Sequence, residues 1–350
     1  MGKRVLFVSH TAKVDDHYDD PSTRYRCHTQ ASSLRNRGHI TTVISQKKFE
    51  IDNTIEEYFD YFVCHRPYMT EHFVDFLVRH KGSQRIIADF DDLIFDVSNS
   101  ELMPSHRFRG QPLHLASAYL GANAAACRHF ANFSVSTRPL AEKVRSLFGE
   151  HNTHVIPNSL EPGYIARAEE IRTLTSLNRP YKLGYFSGTA THDADLASVS
   201  SSIQKMFENY PSAMMLILGP ADIPKQLLPF RERIHHHKEL VHFSKLPYVM
   251  AQVETVIAPL EWNEFTVCKS GLKFFEAALV GCSVVATPIP DIDRFNSKML
   301  RKCSSVEDWD RALTEPFNLS PQDIETEVER ILPSVNAETI IADFEGAFLK

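Results

Sequence analysis

Short apolar strands alternate with helical segments twice along this chain of 350 residues. In the first half, helical patterns such as Ser22–Arg37 and Leu113–Phe130 separate the strands. Strands that are joined by helices lie parallel in one sheet, because each crossover is right-handed and covers a face of that sheet. The strands predicted there are Val5–Ser9, Ile40–Ser45, Tyr61–Cys64, Arg85–Ala88, Phe133–Ser136 and His154–Ile156.

The turn-rich segment Pro157–Gly163 interrupts the alternation, which then starts again. The second series of predicted strands is Tyr181–Phe186, Ala213–Leu218, Val241–Phe243, Thr255–Ala258 and Ser283–Ala286. This predicts an α/β protein with two Rossmann-like, doubly wound domains, residues 1–157 and 158–336, and a C-terminal helix, 337–350, that packs back across a domain. Ligands of such sheets bind beyond the carboxyl ends of the strands, so we expect the site in a cleft between the domains.

Composition and charge exclude several classes of protein. A net charge of −6 and a pI near 6.3 argue against a nucleic-acid-binding surface. The first apolar run is too short for a signal peptide, and no stretch approaches the length of a transmembrane span. Six scattered cysteines without metal-type spacing suggest reduced thiols and a cytoplasmic protein.

The segment Lys269–Glu276 combines cations and a carboxylate on one predicted helix. Lys269, Lys273 and Glu276 have the spacing i, i+4 and i+7, which places them on the same face. Such a face could hold a diphosphate and a ribose, with help from the positive end of the helix dipole. An ordinary solvated face of an amphipathic helix has the same pattern.

Four motifs occur in an order that carries a family resemblance. They are Val155–Asn158, Gly184–Thr189, Ala258–Glu261 and Lys269–Ala277. With the two tandem domains, they resemble the GT-B glycosyltransferases, within the large retaining group of glycogen and lipopolysaccharide synthases. The resemblance implies sugar transfer from a nucleoside-diphosphate sugar to a hydroxyl of a glycan acceptor, in surface polysaccharide or lipopolysaccharide synthesis, with retention. It implies no cofactor and no bound metal, and it leaves room for peripheral association with a membrane.

The resemblance also assigns donor-binding residues. Glu276 is expected to accept hydrogen bonds from the ribose hydroxyls. Lys273 and the segment Lys269, Ser270 and Gly271 should lie against the diphosphate. The residues expected to approach a phosphate after the first strand of the second domain are Ser187, Gly188 and Thr189, and Pro247 occupies the place where the family holds the base.

Two departures from the family pattern concern charge. Many members have a second glutamate eight positions before the one at Glu276, and that position is Cys268 here. An arginine and a lysine usually follow the first strand of the second domain, whereas Ala190–Asp193 stands there in this chain. We therefore expect Lys269 and Lys273 to supply the positive charge.

Three carboxylates follow the predicted strand Arg85–Ala88. Asp89, Asp91 and Asp92 could bind sugar hydroxyls or activate an acceptor as a general base, or they could start a solvated turn. On the functional interpretation, the candidate catalytic residues are Asp91, Asp92 and Lys269, and Asp89 lies on the acceptor side.

Basic residues follow two other strands of the first half. Arg24 and Arg26 could bind a phosphate of the donor or a charged acceptor, although a salt-bridged helix start explains them equally well. His65 could serve as an acid or base on the acceptor side, or have a structural role, and the same alternatives apply to His10. Three consecutive histidines, His235–His237, cannot converge on one ion and are interpreted as surface residues.

Three other functions use the same features. Asp89–Leu93 resembles the nucleophile loop of haloacid-dehalogenase-type phosphatases, in which Asp89 would be phosphorylated and Asp91 would act as acid and base. A nucleotide-sugar epimerase shares the two-domain scaffold. A non-catalytic protein that binds a sugar or a protein partner is compatible with the cysteine at position 268.

Overall fold

The computed structural model describes residues 2–174, 178–188 and 193–350. The chain divides into two compact units. The first unit contains Met1–Glu161, Val267–Ser270 and Ser334–Lys350, and the second contains Pro162–Thr266 and Gly271–Pro333. Compared with the predicted domains, the first unit therefore also includes a short segment around Cys268 and the C-terminal residues.

A six-stranded parallel sheet forms the centre of the first unit, in the order β2-β1-β3-β4-β5-β6. Its strands are β1 (Arg4–Ser9), β2 (Ile40–Ser45), β3 (Tyr61–His65), β4 (Ile86–Phe90), β5 (Asn132–Val135) and β6 (Asn152–Val155). The chain order reverses between β1 and β3. Ligands of open α/β sheets bind beyond the carboxyl ends of the strands at such a reversal.

The second unit repeats this architecture. Its six strands lie in the order β12-β11-β10-β7-β8-β9, and all neighbours are parallel. They are β7 (Tyr181–Phe186), β8 (Met215–Leu218), β9 (Ile234–His237), β10 (Val253–Ala258), β11 (Ser283–Ala286) and β12 (Leu300–Lys302). Here the order reverses between β7 and β10. The predicted α/β class with two doubly wound parallel sheets is confirmed.

Helices connect the strands throughout the described chain. In the first unit these are α1 (Pro21–Thr23), α2 (Thr29–Asn36), α3 (Gln46–Ile51), α4 (Glu71–Arg79), α5 (Pro104–Arg109), α6 (Leu113–Cys127), α7 (Arg138–Phe148) and the C-terminal α15 (Ala337–Phe348). In the second unit they are α8 (Pro162–Thr173), α9 (Asp193–Ser198), α10 (Ser200–Asn209), α11 (Leu246–Met250), α12 (Leu272–Leu279), α13 (Val306–Thr314) and α14 (Pro321–Ile331).

Two sequence-predicted elements differ from the structure, and an edge strand takes the place of one of them. The segment Ser22–Arg37 is divided by a π-helical turn at Arg24–His28, because one more residue fits between the two α-helical parts. Val241–Phe243 is not a strand, since His242 caps a 3₁₀ turn there. The strand is instead Ile234–His237, an edge strand with one buried apolar residue, which gives little hydrophobic signal.

The C-terminal helix α15 completes the core of the first unit. Its residues Ile340, Ile341 and Phe344 are buried with Phe7 of β1 in one hydrophobic cluster. The rings of Phe344 and Phe7 stack with their centroids 6.5 Å apart. The last described helix therefore covers the first strand.

Replacing Phe344 with alanine should destabilise the protein by about 3–5 kcal/mol, because a fully buried aromatic ring is lost and a cavity remains. Unfolding by urea, followed by circular dichroism, measures this change. Asp343→Ala on the exposed side of the same helix is the matched control and should change stability by less than about 0.5 kcal/mol. Equal effects of the two substitutions would show that α15 does not contribute to the core.

Candidate functional site

The carboxyl edge of the first sheet carries a network of charged residues at the reversal between β1 and β3. Ser22 lies in α1 after β1, and His65 and Arg66 come at and after the end of β3. Asp91 and Asp92 directly follow β4. We refer to these five residues as the edge cluster. Because the strands are parallel, residues that follow them meet at this edge.

Beneath the edge cluster, Arg26 and Asp89 form an ion pair with no exposed surface. The guanidinium donates from Nε to Asp89 Oδ1 at 2.9 Å and from Nη2 to Asp89 Oδ2 at 2.7 Å. Burial alone would raise the pKa of Asp89, but Arg26 lowers it below its ordinary value. Neither side chain is exposed, so the direct contact with an acceptor that the sequence predicted is not available to them.

The same guanidinium connects separate parts of the first unit. Nη1 donates to the carbonyl of Ile156 at 2.6 Å and to Asn158 Oδ1 at 3.2 Å, just after β6. Ser134 of β5 donates to Asp89 Oδ2 at 2.7 Å. Asp89 is itself the fourth residue of β4 rather than part of the loop after it. The pair thus has a positioning role under the edge cluster.

His65 links this buried pair to the surface of the edge. Its Nδ1 lies 3.1 Å from Asp89 Oδ1, and its Nε2 lies 2.9 Å from Ser22 Oγ. Ser22 Oγ in turn makes a short hydrogen bond to Asp91 Oδ2. The imidazole is buried and both its nitrogens have partners. His65 therefore reaches the exposed side of this edge only through its hydrogen bond with Ser22.

Arg66 holds the two remaining carboxylates. Its Nε donates to Asp91 at 2.7 Å and its Nη2 to Asp92 at 2.9 Å. Burial alone would raise the pKa of Asp91, but Arg66 and His65 hold it far below its ordinary value. The backbone of Arg66 has φ of +52°, a left-handed conformation that is uncommon outside glycine and is often found at functional sites.

Lys269 contacts the exposed side of this cluster. Its Nζ lies 3.3 Å from Asp92 Oδ1. The backbone of the preceding residue is fixed, since the carbonyl of Cys268 accepts a hydrogen bond of 2.8 Å from Thr137 Oγ1 at the start of α7. The candidate catalytic residues Asp91, Asp92 and Lys269 are thus brought together by the structure. Asp92 is the more exposed of the two carboxylates.

Aromatic rings border the edge cluster. His10, directly after β1, stacks on Tyr68 with ring centroids 4.5 Å apart, and Tyr68 stacks on Tyr119 of α6 at 5.7 Å. Burial, together with the nearby positive charge of Arg66, lowers the pKa of His10 to about 4. His10 is therefore neutral at physiological pH and has an aromatic packing role beside the cluster.

Arg24 does not join this cluster. Its side chain is buried between the rings of Tyr18 and Tyr25, with 5.6 Å from the guanidinium carbon to each ring centroid. Its Nη1 also donates to the carbonyl of Tyr18 at 3.0 Å. Arg24, for which the sequence left a phosphate ligand and a salt-bridged helix start equally open, is thus a packed residue of the π-helical turn.

The predicted donor-binding segment is divided between the units: Lys269 and Ser270 belong to the first unit, whereas Lys273 and Glu276 lie in helix α12 of the second. The helix starts at Leu272, so Lys269 precedes it and does not share a helical face with Lys273 and Glu276. Lys273 Nζ lies 2.8 Å from Glu276 Oε2. Glu276 is only 2% exposed, which excludes the interpretation of a solvated charged face. A buried carboxylate beside a lysine is typical of a binding site or a structural ion pair.

The start of α12 is packed more tightly than the sequence suggested. The N–H of Gly271 donates to Asp291 Oδ2 at 2.8 Å, so this amide is already paired and the predicted diphosphate contact would require it to exchange partners. A Cβ at position 271 would lie 2.8 Å from the side chain of Ile292, which explains the glycine. Ser270, the residue before it, is half-buried in the first unit.

The other donor-side predictions fall at the reversal between β7 and β10. Ser187 and Gly188 follow β7, and Ser187 donates its backbone N–H to Leu218. Thr189 lies outside the described residues. Gly219, after β8, has φ of +107°, and a Cβ there would collide with the carbonyl of Ser187. The absence of a side chain at Gly219 therefore lets the backbones of residues 187 and 219 lie close together. A close approach of backbone of this kind is also what a phosphate-binding turn requires.

The predicted base-binding segment Leu246–Tyr248 lies in helix α11. Pro247 is buried in the first turn of α11, where it replaces a backbone N–H that needs no partner. Its neighbour Tyr248 is 43% exposed, and its hydroxyl lies 3.3 Å from Glu170 Oε2. Of these two neighbours, Tyr248 is the one whose ring is exposed.

The three consecutive histidines bind three different neighbours. His235 Nδ1 lies 2.8 Å from the hydroxyl of Tyr181, and His236 Nε2 lies 3.1 Å from the carbonyl of Gly219. His237 Nδ1 contacts the carbonyl of Glu239. Within residues 2–174, 178–188 and 193–350, no group of three or more histidine, cysteine or acidic side chains is placed to hold a metal ion.

Solved structures of several glycosyltransferases are similar to this chain over its whole length. Sucrose-phosphate synthase from Thermosynechococcus elongatus has a TM-score of 0.64 at 11% identity, covering 99% of this chain and 98% of that one. HepE from Anabaena, in complex with UDP and glucose, has a TM-score of 0.60 at 12% identity, covering 98% of each chain. AviGT4, a glycosyltransferase involved in avilamycin A biosynthesis, has a TM-score of 0.61 at 12% identity, with 99% and 97% covered.

The fold is the GT-B fold. This likeness rests on structure alone, since no family model and no curated protein matches the sequence. It confirms the fold that the four sequence motifs implied.

The ion pair beneath the edge cluster can be tested by removing one charge. Arg26→Met leaves the carboxylate of Asp89 buried without a counterion, and we expect a loss of about 3–5 kcal/mol in the free energy of unfolding. Arg26→Met with Asp89→Leu should recover part of this loss. Arg4→Met, which breaks an exposed pair with Asp60, is the control and should cost about 1 kcal/mol or less in urea unfolding. Similar losses for Arg26→Met and Arg4→Met would contradict the structure.

His10 predicts a pH dependence of stability. Its pKa is lowered from 6.5 to about 4 by folding, so the unfolded chain binds a proton first as the pH falls. Stability is therefore lost between pH 6.5 and 4, and thermal midpoints should fall less steeply over this window in His10→Phe, which keeps the ring stack. The pKa of His28 is also lowered to about 4 by burial, so His28 contributes to the loss of stability in the same pH window. Part of the pH dependence of the thermal midpoint therefore remains in His10→Phe. The exposed His72→Phe is the control, and a slope unchanged by His10→Phe would refute the assignment.

Proposed function

We propose that this protein is a glycosyltransferase that moves a sugar from a nucleoside-diphosphate sugar to a hydroxyl of a glycan acceptor. The observation that carries the proposal is Glu276, buried beside Lys273 on α12 of a GT-B fold. A carboxylate there accepts two hydrogen bonds from the vicinal hydroxyls of a ribose. HepE, which shares the fold, is seen with UDP and glucose, and this supports UDP-glucose as the first donor to test.

Lys269 and Lys273 are the proposed electrostatic catalysts. A leaving diphosphate develops negative charge, and fixed cations that face this charge lower the barrier more than they stabilise the ground state. Lys273 is held beside Glu276 in the second unit and Lys269 beside Asp92 in the first, so each ammonium group has a fixed partner within its own unit. These cations supply the charge without a metal ion or a cofactor in the proposed reaction.

Asp91 and Asp92 have different proposed roles. The pKa of Asp91 is far below its ordinary value, and a carboxylate of this kind is a weak general base. Asp91 therefore serves as a hydrogen-bond acceptor that fixes the edge cluster, while Asp92 orients an acceptor hydroxyl. The leaving diphosphate then takes the proton of that hydroxyl, which agrees with the proposed retention of configuration.

The phosphatase alternative lacks an accessible nucleophile. Asp89, the residue that would be phosphorylated, is fully buried and accepts hydrogen bonds from Arg26, Ser134 and His65. An in-line attack on a phosphate requires an exposed carboxylate oxygen. The structure thus disfavours this chemistry at Asp89.

The proposed setting is the cytoplasm, in the synthesis of a surface polysaccharide or lipopolysaccharide. Nucleoside-diphosphate sugars are the proposed donors, and a growing glycan provides the acceptor hydroxyl. None of the helices in the described ranges has the length and apolar character that crossing a bilayer requires. The net charge of −6 supports a protein that does not bind nucleic acid. A panel of nucleotide sugars separates the proposal from its rivals: an epimerase interconverts sugars without an acceptor, and a non-catalytic protein binds without turnover.

Substitutions in the donor segment test the assigned roles. Lys269→Ala and Lys273→Ala should each lower kcat by about a hundredfold, because each removes a charge that faces the leaving group. Glu276→Gln should mainly raise the donor KM, by about tenfold, since it weakens charged hydrogen bonds to the ribose. Steady-state kinetics with the best donor of the panel measures both effects.

Lys225→Ala, an exposed lysine of the second unit away from these residues, is the matched control and should leave kcat and KM unchanged. Normal kinetics in all three donor-segment variants would refute the site. Equal losses in the control would indicate a general effect of charge.

A further inference from the structure

We propose that the second unit binds a neutral sugar in a cavity at the amino edge of its sheet. The cavity has a volume of about 300 Å³. One side of it consists of residues at the starts of three neighbouring strands, which are Lys182, Leu183, Glu254, Thr255 and Ser283. Ser187, which is predicted to approach the donor, follows the other end of β7, about 16 Å along the strand from Lys182. This amino-edge cavity is therefore separate from the predicted donor edge of the same sheet.

Two hydroxyl groups line the amino-edge cavity side by side. Thr255 and Ser283 are paired across β10 and β11, so their side chains lie on the same face of the sheet, on strands about 4.8 Å apart. Ser283 is only 9% exposed. Within the described residues, neither hydroxyl makes a hydrogen bond to the protein. Polar groups that are largely buried normally have partners, so this pair is suited to a ligand that supplies them.

The charged groups of the cavity balance one another. Lys182 Nζ lies 3.5 Å from Glu254 Oε2. Both terminal nitrogens of Arg179 donate to backbone carbonyls, at 2.6 Å and 2.9 Å. With Glu315, the lining has two cations and two carboxylates, so it offers no excess charge. A charged ligand would meet groups of its own sign there, whereas a neutral ligand with hydroxyl groups can accept from the ammonium and donate to the carboxylates.

Apolar side chains cover the opposite side of the cavity. They come from the end of α13, from the loop after it and from α14, and they are Leu313, Phe317, Leu319 and Ile324. A pyranose ring has faces of C–H groups and a rim of hydroxyls. It therefore matches a cavity in which apolar side chains face hydroxyl and carboxylate groups. The volume lies at the lower limit of ligand pockets, which suits a small sugar.

Arg301 holds the loop that covers the cavity. Its guanidinium donates to the carbonyls of Glu315 at 2.7 Å and of Pro316 at 2.8 Å. The guanidinium carbon also lies 4.0 Å from the ring centroid of Phe317. Asn318 has φ of +51°, a conformation that few residues other than glycine and asparagine adopt. Because the loop is fixed in this way, the shape of the cavity exists before the ligand binds, and little ordering accompanies binding.

Saturation-transfer NMR tests the cavity on the full-length protein with glucose, galactose, mannose and N-acetylglucosamine as probes. The samples contain no nucleotide, so the result does not depend on transferase activity, and a lack of turnover with nucleotide sugars would leave it unaffected. We expect at least one of these sugars to bind with a Kd in the millimolar range, as is usual for a neutral ligand of about twelve heavy atoms.

Removal of the hydroxyl groups should abolish most of this binding. Thr255→Val with Ser283→Ala keeps the volume of the side chains nearly constant and should raise the Kd at least tenfold, because two hydrogen bonds are lost. Glu254→Gln should raise it about fivefold, since a hydrogen bond to a charged group is weakened. The side chain of Glu254 is 53% exposed, so this variant keeps the test valid even if the double variant folds poorly.

Residues of the same types elsewhere provide the controls. Thr42→Val on β2 and Glu239→Gln in the second unit should leave sugar binding unchanged, and so should Glu276→Gln in the donor segment. Four results would overturn the proposal: no binding of any of the four sugars, equal losses in the controls, a loss confined to Glu276→Gln, or at least tenfold tighter binding of glucose 6-phosphate than of glucose, which would indicate an anion site.

Maltotriose in the same assay distinguishes two sources of the sugar. Binding as tight as that of glucose, and equally sensitive to Thr255→Val with Ser283→Ala, would indicate that the cavity receives the end of a glycan chain. Binding of glucose without binding of maltotriose would indicate a free monosaccharide. Either result supports the site, because the same hydroxyl groups recognise the ring in both cases.

Discussion

The bidentate ion pair of Arg26 and Asp89 is the interaction on which the first unit's functional edge depends. One guanidinium satisfies the carboxylate of β4, the carbonyl of Ile156 and the side chain of Asn158, while His65 uses the same carboxylate to fix its ring. Ion pairs without solvent gain their strength from low dielectric and from complete hydrogen bonding, and this pair has both. Arg26 is buried within the π-helical turn Arg24–His28, a kind of helix irregularity that is frequent at functional sites.

The architecture could be predicted from the sequence because buried parallel strands are continuous apolar runs separated by helices. Strands without that hydrophobic signal were not predicted. The edge strand Ile234–His237 has one buried apolar residue, so its polar sequence indicated surface histidines and no strand was predicted there. The strand β12, which is short and half-exposed, left no signal for the same reason. Local hydrophobicity identifies central strands well and edge strands poorly, since only central strands are covered on both faces.

The sequence indicated several of the residues that form the candidate site, but not which of them contact one another. The sequence placed Asp91 and Asp92 in one motif and Lys269 in another, and only the fold shows Lys269 beside Asp92. Ser22, Arg66 and Asp291 were not assigned to the site, because a serine in a helix start, an arginine after a strand and an aspartate in a turn are common everywhere. The left-handed backbone of Arg66 is a property of the folded chain with no sequence signature outside glycine and asparagine. Spacing along one helix also misplaced Lys269, which precedes α12.

The division of the chain between its units has a consequence for how the protein is made. The first unit is assembled from three separate segments, and the last of them supplies α15, which covers β1. During synthesis, the second unit can fold once its residues have left the ribosome, whereas the cluster around Phe7, which α2 covers in part with Ala31 and Leu34, lacks α15 until residues 334–350 arrive. The domain that starts first is thus completed last. A nascent chain stalled before α15 would expose Phe7 and its neighbours, and this state is the one that a chaperone would have to protect.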